Sequence, residues 1–169
     1  MIVAEVSVEE GWPEGNWESL AAQAIRAALK VSPYGWIAEG AFTSEISVRL
    51  TSDEEVRELN RGYRQKDKPT NVLSFPMVQK DLLDALANSD DGEVLLGDIV
   101  LAAGVTSAEA AEKRVDLATH ATHLIVHGTL HLLGFDHEEG EAEAEAMEEM
   151  ERQALAALGL DDPYVVREN

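Results

Sequence analysis

In Ile2–Val8, apolar residues alternate with Ala4, Ser7 and nearby acids, and this period-two pattern reads as a first strand. The period then changes. Asn16 stands where an N-cap belongs, and Leu20, Ala24, Ala27 and Ala28 fall on one side of a helix running through Leu29. The segment Ser32–Thr43, broken by Pro33, Gly35 and Gly40, reads as a loop. In Glu45–Leu50 the residues Ile46, Val48 and Leu50 share one face, which predicts a second strand. Thr51 or Ser52 caps the next helix, and Glu54 or Glu55 sits where a capping box needs it. That helix is expected to reach about Tyr63, burying Val56, Leu59 and Tyr63. Arg57, Arg61 and Arg64 lie toward its C-terminal end, where the helix dipole favours cations.

Lys66–Thr70 is a charged turn, followed by a short strand at Asn71–Phe75 that Pro76 ends. Leu82, Leu83 and Leu86 support a short helix before a polar turn at Asn88–Gly92. Glu93–Leu101 reads as a buried strand in which Gly97 and Asp98 predict a bulge or functional kink. Helical spacing dominates thereafter, over Ser107–Arg114, Asp116–Leu133 and Glu141–Leu158. Gly134 occupies the position of a helix-ending glycine, and Asp161–Tyr164 stops the last helix. With no internal repeat in 169 residues, the pattern predicts one domain over residues 1–169. Its expected class is α+β (an α/β sandwich being the near alternative), with one mixed sheet of about four strands against four to six helices.

Composition narrows the chemistry. Cysteine is absent, so disulfides and thiolate ligands are excluded. The N-terminus lacks a basic segment followed by an apolar run, and no apolar stretch approaches the roughly 18 residues of a membrane span. The expected location is the cytoplasm. There are 33 acidic and 13 basic residues, a formal charge of −20, which at long range repels a polyanion. The one local cationic cluster is Arg57, Arg61, Arg64, Lys66 and Lys68, and it predicts a positive or near-neutral rim in an otherwise acidic surface.

His127 and His131 are four residues apart in a strongly helical stretch, so both face one side, one turn apart. Gly134 turns the chain back, and His137 follows from outside the helix. Three imidazoles in this arrangement suit one metal ion at a helix end, with a fourth position left for water. The all-histidine set favours zinc. His123 and His120 lie one and two turns earlier. His123 is a candidate to support the ligands or contact substrate, as are Asp136 beside His137 and Asp98 beside Gly97. Simple structural roles are equally open for His120, His123 and Asp98. The same histidine spacing occurs in metzincin proteases, which place a glutamate general base directly after the first histidine. Here that position is Gly128, which argues against peptide hydrolysis.

The segment HGTLHLLGFDH, His127–His137, resembles the signature of the YbeY endoribonucleases, also called rRNA maturation factors. The resemblance extends through Leu59–Pro76 (LNRGYRQKDKPTNVLSFP), Leu95–Val100 (LLGDIV) and the acidic helix with its DDPY ending. It implies a single-strand-specific, zinc-dependent endoribonuclease of 16S rRNA 3′-end maturation and ribosome quality control. Its implied partners are rRNA and the small ribosomal subunit or its associated proteins, with no membrane or DNA. It also implies that His127, His131 and His137 hold the metal and that Arg64 is the functional arginine. An arginine there suits clamping phosphoryl oxygens, and Lys66 and Lys68 suit flanking phosphates. Two other readings use the same histidines: a protease-like hydrolase, and a ribosome-associated binding protein with a structural metal.

Overall fold

Ser44, Ile46, Val48 and Leu50 are buried while Glu45 and Ser47 are half-buried, so the strand β2 (Thr43–Thr51) turns one face to a core. A computed structural model describes residues 1–40, 42–86, 92–136 and 140–164 of the chain. Its sheet also contains β1 (Ile2–Val8), β3 (Val72–Pro76) and β4 (Glu93–Ala102), in the order β1-β2-β4-β3. The pairs β1–β2 and β2–β4 are parallel, and β3 lies antiparallel on β4 at the edge. Six α-helices are described: α1 (Trp17–Val31), α2 (Asp53–Arg64), α3 (Lys80–Ala85), α4 (Ala103–Lys113), α5 (Leu117–Leu132) and α6 (Glu141–Ala157). This is the expected α+β architecture with a mixed four-stranded sheet.

The main core joins Ile25 and Leu29 of α1, Ile46 and Leu50 of β2, Leu96 and Ile99 of β4, Ile125 and Leu130 of α5, and Met147 and Leu155 of α6. A smaller cluster of Val56, Leu73, Val100 and Ala102 lies where α2 covers the other face of β3 and β4. Full burial of each such aliphatic chain stabilises the fold by about 1.5–3 kcal/mol. Most of α5 is buried, including His120 and His123. A helix enclosed on most sides must satisfy its own polar groups, and Thr122 and Thr129 donate to the carbonyls of Ala118 and Ile125, each at 2.7 Å.

At Gly97 the end of this helix approaches the sheet closely. The β2–β4 register slips there, pairing Glu45 with Leu95 but Ile46 with Gly97, so Leu96 is an extra residue and the expected bulge is present. A Cβ on Gly97 would lie 2.5 Å from the Phe75 carbonyl oxygen and 2.6 Å from Leu132 Cδ2. The φ of +153° adds strain for any other residue. Glycine therefore lets the end of α5 settle against β3 and β4.

Four expectations change. Tyr63 is 73% exposed, because the inward stripe of α2 runs through Val56 and Asn60. Its ring instead meets Phe75 edge-on, with centroids 5.4 Å apart. Ser52 caps α2 by accepting the Glu55 N–H at 3.1 Å, but Glu55 completes no capping box. Its carboxylate is taken by Arg49 and by the Thr51 hydroxyl. The helix expected from Ser107 begins at Ala103, since the Asp53 carboxylate accepts the N–H groups of Gly104 and Val105 at 2.8 and 3.1 Å. That cap comes from fifty residues away, beyond the reach of a local pattern. The loop after α1 contains a 3-10 turn at Gly35–Glu39. Residues 88–91 of the expected polar turn lie outside the described residues.

Candidate metal and phosphate site

One turn of α5 separates His127 from His131, and their Nε2 atoms stand 3.1 Å apart. Two nitrogens sharing a tetrahedral metal at bonds of about 2.0–2.1 Å would be about 3.3 Å apart. The observed pair therefore fits a common ion. Just beyond, the chain reverses through a Schellman turn. Gly134 has φ +96°, its N–H reaches the His131 carbonyl at 3.0 Å, and Phe135 N–H reaches that of Leu130 at 3.1 Å. His137, the expected third ligand, and its neighbour Glu138 lie outside the described residues. Among the described residues no set of three or more metal-binding side chains is assembled.

The orientation of His127 comes from α6. Met147, Glu151, Ala154 and Leu155 form the buried stripe of that helix, so Glu151 is a carboxylate on an apolar face. Its Oε1 lies 2.6 Å from His123 Nε2 and 3.2 Å from His127 Nδ1. The Tyr164 hydroxyl stands 3.0 Å from both carboxylate oxygens. Burial pushes the Glu151 carboxyl upward, but hydrogen bonds and charge from His123 and His127 outweigh it and hold the group at about 2. An ionised carboxylate can only accept, so the proton of His127 sits on Nδ1 and the Nε2 lone pair is left for a metal.

This carboxylate also sets an acid limit. With the folded value lowered from 4.5 to about 2, ionised Glu151 stabilises the metal-free fold above about pH 4.5. That contribution is lost as pH falls through about 2. Denaturant titrations of the metal-free protein across this window should show a steeper acid decline for wild type than for Glu151→Gln. Parallel declines would count against the buried ionised carboxylate.

The histidines open onto a cleft of about 810 Å³ that also takes in Arg64, Lys66, Lys68 and Asp136. Its described lining holds four cationic side chains, the fourth being Lys113, against three carboxylates, the others being Glu109 and Glu112. The described lining is thus close to charge balance within a chain of charge −20, and three of the five clustered cations, Arg64, Lys66 and Lys68, belong to it. Arg57 and Arg61 are not part of the lining. Arg57 instead clamps Asp67 at 2.7 and 3.3 Å. Together with Asn60 Nδ2 on the Lys68 carbonyl, 2.9 Å, that clamp fixes the turn presenting Lys66 and Lys68. Among the described residues Arg64, Lys66 and Lys68 are exposed and enter no ion pair.

His123 itself lines the cleft and shares Glu151 Oε1 with His127. His120 borders the cleft with its Nε2 2.8 Å from Glu109 Oε1, and burial lowers its pKa against that bond. Asp98 is not in the lining. It pairs with Ser47 and Phe75 in the register, on the sheet face opposite Ile99, while Ile99 is the residue packed against Gly128 of α5. It cannot orient the histidines of that helix directly. Sequence reasoning missed Glu151 and Tyr164. The available signal was a glutamate four residues after Met147 and three before Ala154, on the one apolar stripe of an acidic helix.

Comparison with known proteins adds a family. The family model described as Endoribonuclease YbeY matches residues 5–159. The Endoribonuclease YbeY of Rhizorhabdus wittichii is 62% identical over 170 residues, with 100% of each chain covered. That of Sphingopyxis alaskensis is 54% identical over 97% of this chain and 98% of its own. The solution structure of TM1509 from Thermotoga maritima shares the fold with a TM-score of 0.55, at 21% identity, over 94% of this chain and 92% of that one.

Proposed function

This chain belongs to the YbeY endoribonuclease family, and we propose that it is a zinc-dependent, single-strand-specific endoribonuclease of the cytoplasm. Its proposed role is 16S rRNA 3′-end maturation and ribosome quality control, with the small ribosomal subunit or its associated proteins as partners. The observation that carries the reading is the convergence of the His127 and His131 Nε2 atoms, 3.1 Å apart, in the cleft that holds Arg64, Lys66 and Lys68. His127 and His131, with His137, would hold one zinc ion, which when bound supplies Lewis acidity toward a phosphoryl oxygen.

The chain's own groups do the remaining work. Arg64 offers a planar fork to two non-bridging oxygens, a geometry lysine cannot copy. Lys66 and Lys68 neutralise the phosphates on either side and hold the strand in register. Glu151 keeps the His127 proton on Nδ1 throughout.

The test is cleavage of a 16S rRNA 3′ precursor by purified protein of measured metal content, with casein as control. One zinc per chain and cutting of single-stranded RNA are expected; casein cleavage without RNA cleavage would sink the proposal. Arg64→Ala should slow cleavage about 10²-fold or more, the scale for removing one charge-stabilising donor. Lys66→Ala and Lys68→Ala should each weaken RNA binding and reduce the slope of log affinity against log salt by about 0.7. An unchanged slope in both would remove these lysines from the phosphate path.

A further inference from the structure

The C-terminal segment after α6 is built onto the site. Asp162 Oδ1 accepts the Tyr164 N–H at 2.8 Å, forming an Asx turn around Pro163. Arg152 donates to Asp162 at 3.1 Å and to Glu149 at 3.4 Å, and its guanidinium lies 5.5 Å from the Tyr164 ring centroid. The ring meets His123 edge-on at 5.5 Å. These contacts aim one hydroxyl at a carboxylate that is 1% exposed. Glu151 Oε1 already faces the two histidine N–H groups. Among the described residues Oε2 has the Tyr164 hydroxyl as its one recorded hydrogen-bond partner.

We propose that Tyr164 is a positioning residue for the metal site, acting through Glu151 to hold the Nδ1–H of His127 and so aim its Nε2. The inference rests on the metal reading above. A buried carboxylate with one oxygen stripped of its donor is free to rotate toward other partners, and His127 then loses the fixed acceptor that sets its ring angle. The hydroxyl therefore strengthens metal binding without touching the metal. Tyr164 also borders the cleft, so its ring has a second conceivable use, stacking on a base. Phenylalanine separates the two uses, because it keeps the ring and removes only the hydroxyl.

The test measures zinc affinity by chelator competition for wild type, Tyr164→Phe, Glu151→Gln and the double variant, together with metal-free melting temperature and RNA affinity. His127→Ala serves as the control for the metal site. Glu151→Gln should weaken zinc about 10–100-fold, the range for groups that orient a ligand histidine. Tyr164→Phe should weaken it several-fold, and the double variant should be no weaker than Glu151→Gln, because the hydroxyl acts only through that carboxylate. In Tyr164→Phe the metal-free melting temperature should fall, because a buried carboxylate oxygen loses its donor, the cobalt-loaded visible spectrum should shift, and RNA affinity at saturating zinc reports on the retained ring. Unchanged zinc affinity in Tyr164→Phe, or effects that simply add in the double variant, would overturn the proposal. If His127→Ala binds zinc as wild type does, the metal reading itself fails and the proposal falls with it. Zinc lost in His127→Ala but retained in Tyr164→Phe overturns the role of Tyr164 alone.

Discussion

His127→Ala is expected to lose both zinc and RNA cleavage, with the rate falling at least about 10³-fold. A bound metal contributes several kcal/mol to stabilising developing charge, and each 1.36 kcal/mol is a factor of ten in rate. The substitution removes one of two nitrogens that stand 3.1 Å apart. It also removes a donor to Glu151 that the carboxylate of the neighbouring helix uses. Folding should survive, since the His127 side chain is 20% exposed and its backbone remains helical. The measurement is zinc per chain by elemental analysis, with single-strand cleavage rate and circular dichroism on the same preparation. Cleavage at the wild-type rate by a metal-free, folded variant would refute the metal mechanism.

Gly128→Glu is expected to destabilise the fold by about 4 kcal/mol or more. It would install the glutamate that proteases with this histidine spacing carry, but the position has no room for it. A Cβ on Gly128 would lie 2.9 Å from Ile99 Cγ2, and Ile99 is fully buried in β4. A longer side chain must push helix from sheet and bury a carboxylate among aliphatic groups. Against a typical total of 5–15 kcal/mol, that loss leaves much of the protein unfolded. Gly128→Ala should cost about 1–3 kcal/mol by overpacking alone. Thermal melts of both variants decide the matter, and a Gly128→Glu protein melting with wild type would contradict the close packing. No gain of casein hydrolysis is expected in either.

Periodicity carried most of the fold because burial here follows it closely. The alternation of Ile46, Val48 and Leu50 and the helical repeats around α1 and α6 survive in the structure with shifts of one or two residues. The bulge at Gly97 was legible because a glycine within an apolar strand demands a backbone reason. The start of α4 was not legible, since Asp53 caps it across the fold. The same division holds at the site. Histidine spacing on one helix is local, so His127 and His131 could be paired in advance. Glu151 and Tyr164 meet them only after α6 packs on α5, and adjacency to a bulge does not tell which of the two roles open to Asp98 it takes, because that depends on its sheet face.

Asp53 has one more effect. It lies in the first turn of α2 and ties down the start of α4, while the far ends of these two helices carry Arg64 and Glu109, Glu112 and Lys113, all of which line the cleft. The two helices are thus the legs of a calliper riveted at Asp53. One carboxylate at the rivet ties together two helices whose far ends line a cleft that it does not itself border.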